Sequence, residues 1–230
     1  MSPGIVTPQM PEPFSGERSS QRLVFVGLNP SLSDDEIIPT AAPEWTFERY
    51  DEHYRYRFAA GSRNASGRPV VRSRAGKEAV PRLWNNIELV GSRFFSGDGN
   101  GIFRLGEHAI LIEVVHYKSR RGWLGSNAEQ RDRVLQHQLG FTQELIKEIS
   151  PCVLVPMGNL AFKQICSLHG LADLAKRRVT HMTGQLIKAK SVSGEQVLIV
   201  PVRHLSYPPS HAVQAAFGRQ IVTAVDALNR

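Results

Sequence analysis

The residues with chemical capacity gather in short polar segments that each follow an apolar run. These are Gly27-Leu28-Asn29-Pro30-Ser31, His116-Tyr117-Lys118-Ser119, Met157-Gly158-Asn159 and Arg203-His204-Leu205-Ser206-Tyr207. A carboxylate, Glu113, stands inside the apolar run at residues 109–115. The side chains have different capacities. The amide of Asn29 can orient a water but cannot take its proton. The imidazole of His204 can donate to a developing negative charge, and the carboxylate of Glu113 can accept from an amino group. Plainer roles exist for the same residues. Asn29-Pro30 is also an ordinary turn dipeptide, and Asp34 and Asp35 read as a helix N-cap pair. His204 competes with His211, seven residues on, and is preferred because it directly follows an apolar run.

Several chemistries lack their residues. There is no Gly-x-Ser-x-Gly elbow for serine catalysis and no phosphate-binding loop ending in Gly-Lys-Ser/Thr. The glycines of residues 96–101 follow no strand and open no dinucleotide-binding unit. The histidines show no metal spacing. The two cysteines, Cys152 and Cys166, cannot hold an iron–sulfur cluster and suit a reducing compartment. No metal and no cofactor are therefore expected. No apolar run approaches the roughly 18 residues of a membrane span, and no signal peptide is evident, so the expected location is cytoplasmic. Lys and Arg number 28 against 21 Asp and Glu, a net charge of +7 that favours polyanionic partners.

The elements that must position these groups follow from hydrophobic patterning. Residues 22–26, 109–115, 152–156 and 196–202 are short continuous apolar runs, the pattern of strands buried on both faces. Between them, helices are expected at 83–90, at 128–149 behind a Ser126/Glu129 capping box, after Gly158-Asn159, and from Pro209-Ser210 onward. The predicted fold is a three-layer α/β/α domain around a central four-stranded, mostly parallel sheet. Ligands of such sheets bind beyond the carboxyl ends of the strands, where the polar segments lie. Residues 1–21, rich in Pro, Ser and Gly, are expected to form a flexible tail. Residues 22–230 form the domain, with an Arg- and aromatic-rich insertion at about 45–80, partly helical over 45–58 and a long loop or hairpin over 61–77.

Taken together and in order, these motifs resemble the uracil-DNA glycosylase superfamily. Gly27-Leu28-Asn29-Pro30 resembles the Gly-Ile-Asn-Pro-Gly motif of mismatch-specific and thymine-DNA glycosylases, with Ser31 in place of the second glycine. His204-Leu205-Ser206 resembles the second motif, His-Pro-Ser, with Leu205 in place of proline, and Gly158-Asn159-Leu160-Ala161 resembles a common helix start. The resemblance spans residues 22–230.

It implies a monomeric enzyme acting on DNA: a base is flipped out and its N-glycosidic bond is hydrolysed. The sugar becomes oxocarbenium-like while the base leaves with negative charge. By resemblance, Asn29 and Ser31 lie at the water and the DNA, and His204 donates to the leaving base. Phe47, or else Tyr50 or Phe58, supplies the stacking floor. Arg203, Ser206, Tyr207, Lys118 and Arg120 contact the DNA, with Tyr207 as the wedge. Glu113 stands where uracil-excising relatives carry an Asn; a carboxylate there suits the amino group of a cytosine-type base. Plain cytosine cannot be the target without destroying the host genome. The implied substrate is a hydroxymethylated or glucosylated cytosine of phage DNA, as for phage-defence members of the superfamily. The alternatives are a uracil or mismatched-thymine repair enzyme, and a DNA-binding protein of this fold without activity.

Overall fold

The structure, a computed structural model, describes residues 14–15, 23–28, 70–72, 78–95, 103–105, 108–116, 128–182, 185–191, 194–205, 218–224 and 226. In chain order the elements are β1 (Phe14–Ser15), β2 (Leu23–Gly27), β3 (Val71–Arg72), β4 (Glu78–Ala79), α1 (Arg82–Phe95), β5 (Ile110–Glu113), α2 (Ala128–Ile149), β6 (Val153–Pro156), α3 (Asn159–Leu168), α4 (Ala172–Ala175), α5 (Val179–Met182), β7 (Ile187–Lys190) and β8 (Gln196–Ile199). Residues 218–224 are also helical.

The main sheet has the order β1-β5-β2-β6-β8-β7. Its four central strands, β5, β2, β6 and β8, run parallel and are the four apolar runs of the sequence. Their Val, Ile, Leu and Phe side chains alternate between two buried layers. Val24, Val26, Ile110, Ile112, Leu154 and Ile199 meet Leu135, Leu145 and Ile146 of α2 and Phe162 and Ile165 of α3. Leu23, Phe25, Leu111, Val155 and Leu198 form a second cluster with Ile87 of α1 and with Ile221 and Ala224. Helices therefore cover both faces. Each fully buried Leu, Ile or Phe contributes roughly 1.5–3 kcal/mol of transfer free energy.

The expected strand count is corrected. Five strands have four or five residues, and β1 adds a two-residue pairing. Both extra strands are antiparallel edges. Phe14–Ser15, inside the segment expected to be a tail, pairs with Ile112 and Leu111. In β7 half-buried and exposed residues alternate, so no continuous apolar run marks it, and Lys188 and Lys190 point to solvent, which discourages pairing with another chain. A separate hairpin, β3 with β4, closes the end of the 61–77 segment, where a loop or a hairpin is expected. The partly helical expectation for 45–58 lies outside the described residues.

The helix ends have local causes. α2 stops at Ser150, which has a left-handed φ of 49° and donates its N–H to Ile146 O, and Pro151 follows. Early in α2, Arg133 and Glu129 pair at 2.6 Å, one turn apart and exposed. Such a pair adds about 0.3–0.5 kcal/mol. In α1, a Cβ at Gly91 would fall inside the ring of Phe103, so glycine there lets the aromatic ring pack against the helix backbone.

Candidate active site at the carboxyl edge of the sheet

Beyond its last residue, each parallel strand continues in an extended ladder. Val114 N–H donates to Gly27 O at 3.2 Å and Val115 N–H to Leu28 O at 2.8 Å, carrying the β5–β2 pairing onward. Met157 N–H donates to Val26 O at 2.9 Å, and Gly158 N–H to Val202 O at 2.8 Å. These bonds hold the segments after β2, β5, β6 and β8 side by side. Leu205 is tied to α1 by Asn86, whose amide donates to Leu205 O.

Two glycines on adjacent strands make room at this edge. Gly27 sits opposite Glu113 in the register, and a Cβ on it would lie 2.7 Å from Glu113 Cδ and 2.8 Å from Oε1. The Glu113 carboxyl group thus rests directly on the Gly27 backbone, only 7% of the residue exposed. Gly158, with φ of 88°, turns the chain from β6 into α3 in a conformation that side chains rarely adopt. A Cβ there would lie 3.7 Å from His204 Cβ and 3.9 Å from Cδ2. β5 and β8 are three strand spacings apart, roughly 14 Å. Glu113 overlies β2, and His204, beyond the end of β8, flanks the turn after β6. The two groups therefore stand over neighbouring strands of the same edge.

Burial lowers the half-buried His204 imidazole below its ordinary pKa. The cause is loss of hydration of the cation, so the neutral ring is favoured. Arg203, its neighbour, is exposed. Asn29, Ser31, Phe47, Lys118, Arg120, Ser206 and Tyr207 lie outside the described residues. Leu28 is buried, and its carbonyl accepts from Val115 N–H at this same edge.

Sequence reasoning places His116 in the polar segment after the second apolar run but gives it no role of its own. It follows β5, is 5% exposed, and packs edge-on against Phe141 of α2 with ring centroids 4.5 Å apart. Its Nε2 is buried and has no hydrogen-bond partner among the described residues. Burial pushes its pKa down to about 4, so the ring is neutral near pH 7. The signal that could find it is its position in a polar segment at a strand end, shared with the other site residues. Thr142 of α2 donates to Val114 O at 3.2 Å, which fixes the helix against this segment.

Among the described residues no group of three His, Cys, Asp or Glu side chains is arranged to hold a metal ion. Comparison with models of known protein families and with curated proteins gives no match. The α/β architecture, the parallel sheet and the geometry of its carboxyl edge are thus the grounds for a functional reading.

Proposed function

We propose that the chain is a monofunctional DNA glycosylase that excises a flipped-out modified cytosine, hydroxymethylated or glucosylated, from phage DNA. One observation carries the reading. A buried carboxylate rests on Gly27 and a half-buried histidine, its pKa lowered by burial, stands beside Gly158, on neighbouring strands at the carboxyl edge of a parallel sheet. That edge is where open α/β sheets bind ligands.

The chemistry assigns each group a task. Glu113 accepts from the exocyclic amino group of the base, a contact that uracil and thymine cannot offer. As the N-glycosidic bond breaks, negative charge grows on the departing base. His204 donates to it through a neutral ring N–H, with little hydration to lose at that moment. Asn29, two residues after Gly27, orients the water that attacks the sugar. No base is needed for this water, because the sugar is already strongly electrophilic.

The test is direct. The protein is incubated with DNA containing hydroxymethylcytosine, its glucosylated form, uracil or mismatched thymine, and the released base is identified by mass spectrometry. Release of a modified cytosine and none from plain DNA is expected. Release of uracil or thymine alone moves the chain to base-excision repair and removes the role of Glu113. Release of nothing, with DNA still bound, leaves a binding protein.

A further inference from the structure

Beyond the site itself, we propose that Lys176, Arg177 and Arg178 form a rim that grips the phosphate backbone of DNA beside His204. The inference deepens the glycosylase reading, because it supplies that site's strand with backbone contacts, yet it can be tested without catalysis.

Its placement rests on the path of the chain. α3 starts at the carboxyl edge and descends, and His169, just after it, meets Lys190 O at 2.7 Å at the amino end. The chain then climbs back through α4. At the top, Val179 N–H donates to Asn159 Oδ1 at 2.8 Å, and Val179 is fully buried in the core. Asn159 immediately follows Gly158, the residue beneath His204. The residue after Arg178 is therefore anchored one position from the turn that His204 flanks.

The three cations themselves face solvent. Asp173 is the one acid between residues 170 and 190 and pairs with Lys176 at 3.1 Å, both side chains largely exposed. Such a pair is readily exchanged for a phosphate. Arg177 and Arg178 have no ion pair among the described residues, and guanidinium groups suit phosphate oxygens in bidentate geometry. Arg203, also exposed, stands on the neighbouring strand end, so cations border His204 on two sides. A membrane surface fits less well. Among the described residues the large exposed apolar side chains are Leu89 and Phe141, on other helices, so this segment has no apolar anchor.

The experiment is fluorescence anisotropy of a labelled unmodified duplex of about 20 base pairs against the full chain, over a series of salt concentrations. Arg177→Ala/Arg178→Ala is compared with Lys188→Ala/Lys190→Ala, which removes the same charge from the β7 edge; a thermal melt verifies that both remain folded. For the arginine pair we expect affinity to fall about tenfold or more. The slope of log affinity on log salt should fall by about 0.9 for each phosphate no longer neutralised, roughly 1.8 in all. The lysine pair should leave the slope near the wild-type value. Equal losses in both variants, or none in the arginine pair, overturn the rim. So does an unaltered duplex isotherm with weakened binding to phosphatidylserine vesicles. If the arginine pair loses duplex binding while the wild type releases no base, the rim stands and the glycosylase reading falls.

Discussion

The two ends of the sheet use glycine in opposite ways. At the amino end, Gly170 and Gly194 have φ of 69° and 92°, and nothing lies within 4 Å of the place a Cβ would take. They serve turns, and the polar contact beside Gly194 lies at the surface: Ser150 Oγ donates to Glu195 at 3.4 Å. At the carboxyl end, Gly27 and Gly158 have side chains resting on them, those of Glu113 and His204. Here the missing Cβ is used for close approach. Of the polar groups it admits, Glu113 is buried and His204 half-buried, and two histidines, His116 and His204, have depressed pKa values. One end is built for connection. The other holds polar groups at a cost in solvation, the usual mark of a site.

Removing His204 should give the largest effect on function. His204→Ala is expected to lower the rate of base release by about 10²–10³-fold, the usual loss of one donor to a developing anion. Single-turnover release of the base measures it, with urea unfolding to show that the fold persists. A loss below tenfold would make this end no more chemical than the other.

Acid should expose the difference in stability. The folded-state pKa of His116 is about 4, against about 6.5 unfolded. Between those values the unfolded chain binds the extra proton, so stability is fully present above about pH 6.5 and is lost as pH falls toward 4. The loss amounts to about 3 kcal/mol at most. Urea titrations from pH 7 to pH 4 measure it, and His116→Phe, which keeps an aromatic ring against Phe141, should flatten the profile. An equally steep profile in that variant would falsify the assignment.

Substituting the glycines tests the comparison itself. Gly27→Ala drives a methyl group into the Glu113 carboxyl group, which must leave its seat. The preference for an amino-bearing base over uracil should weaken by about 1–3 kcal/mol, roughly 5–150-fold in relative kcat/KM, and Glu113→Gln should follow the same direction. Gly194→Ala meets no atom and suffers only its left-handed φ, about 1–2 kcal/mol of stability, with base preference unchanged. Matching effects on preference from both alanines would erase the distinction.

These contrasts also explain what the sequence can disclose. The four parallel strands are legible because burial on both faces turns them into unbroken apolar runs, and α2 is legible to the residue because its period and its Pro151 stop are local. β1 and β7 are not, since an edge strand gains its identity from a partner distant in the chain: Phe14 from Ile112, Ile187 from Ile199. Glu113 stands out because a carboxylate contradicts its apolar run. His116 contradicts nothing in its polar surroundings, and only packing against Phe141 shows that it is buried. The place of Arg177 and Arg178 depends on one long-range bond, Val179 to Asn159, which no spacing announces.

The smallest expected effect concerns Ser150, the one non-glycine with positive φ among the described residues. It closes α2 in the conformation that glycine adopts without strain. Ser150→Gly should remove about 1 kcal/mol of left-handed strain, while greater freedom of the unfolded chain and loss of the exposed Ser150–Glu195 bond offset much of it. The net gain should stay below about 1 kcal/mol in urea unfolding, with base release unaltered, because Ser150 lies at the end of the sheet away from Glu113 and His204. A loss of stability above that size would mean that the 3.4 Å bond outweighs the strain, and that polar contacts at this end are structural supports as strong as those at the other.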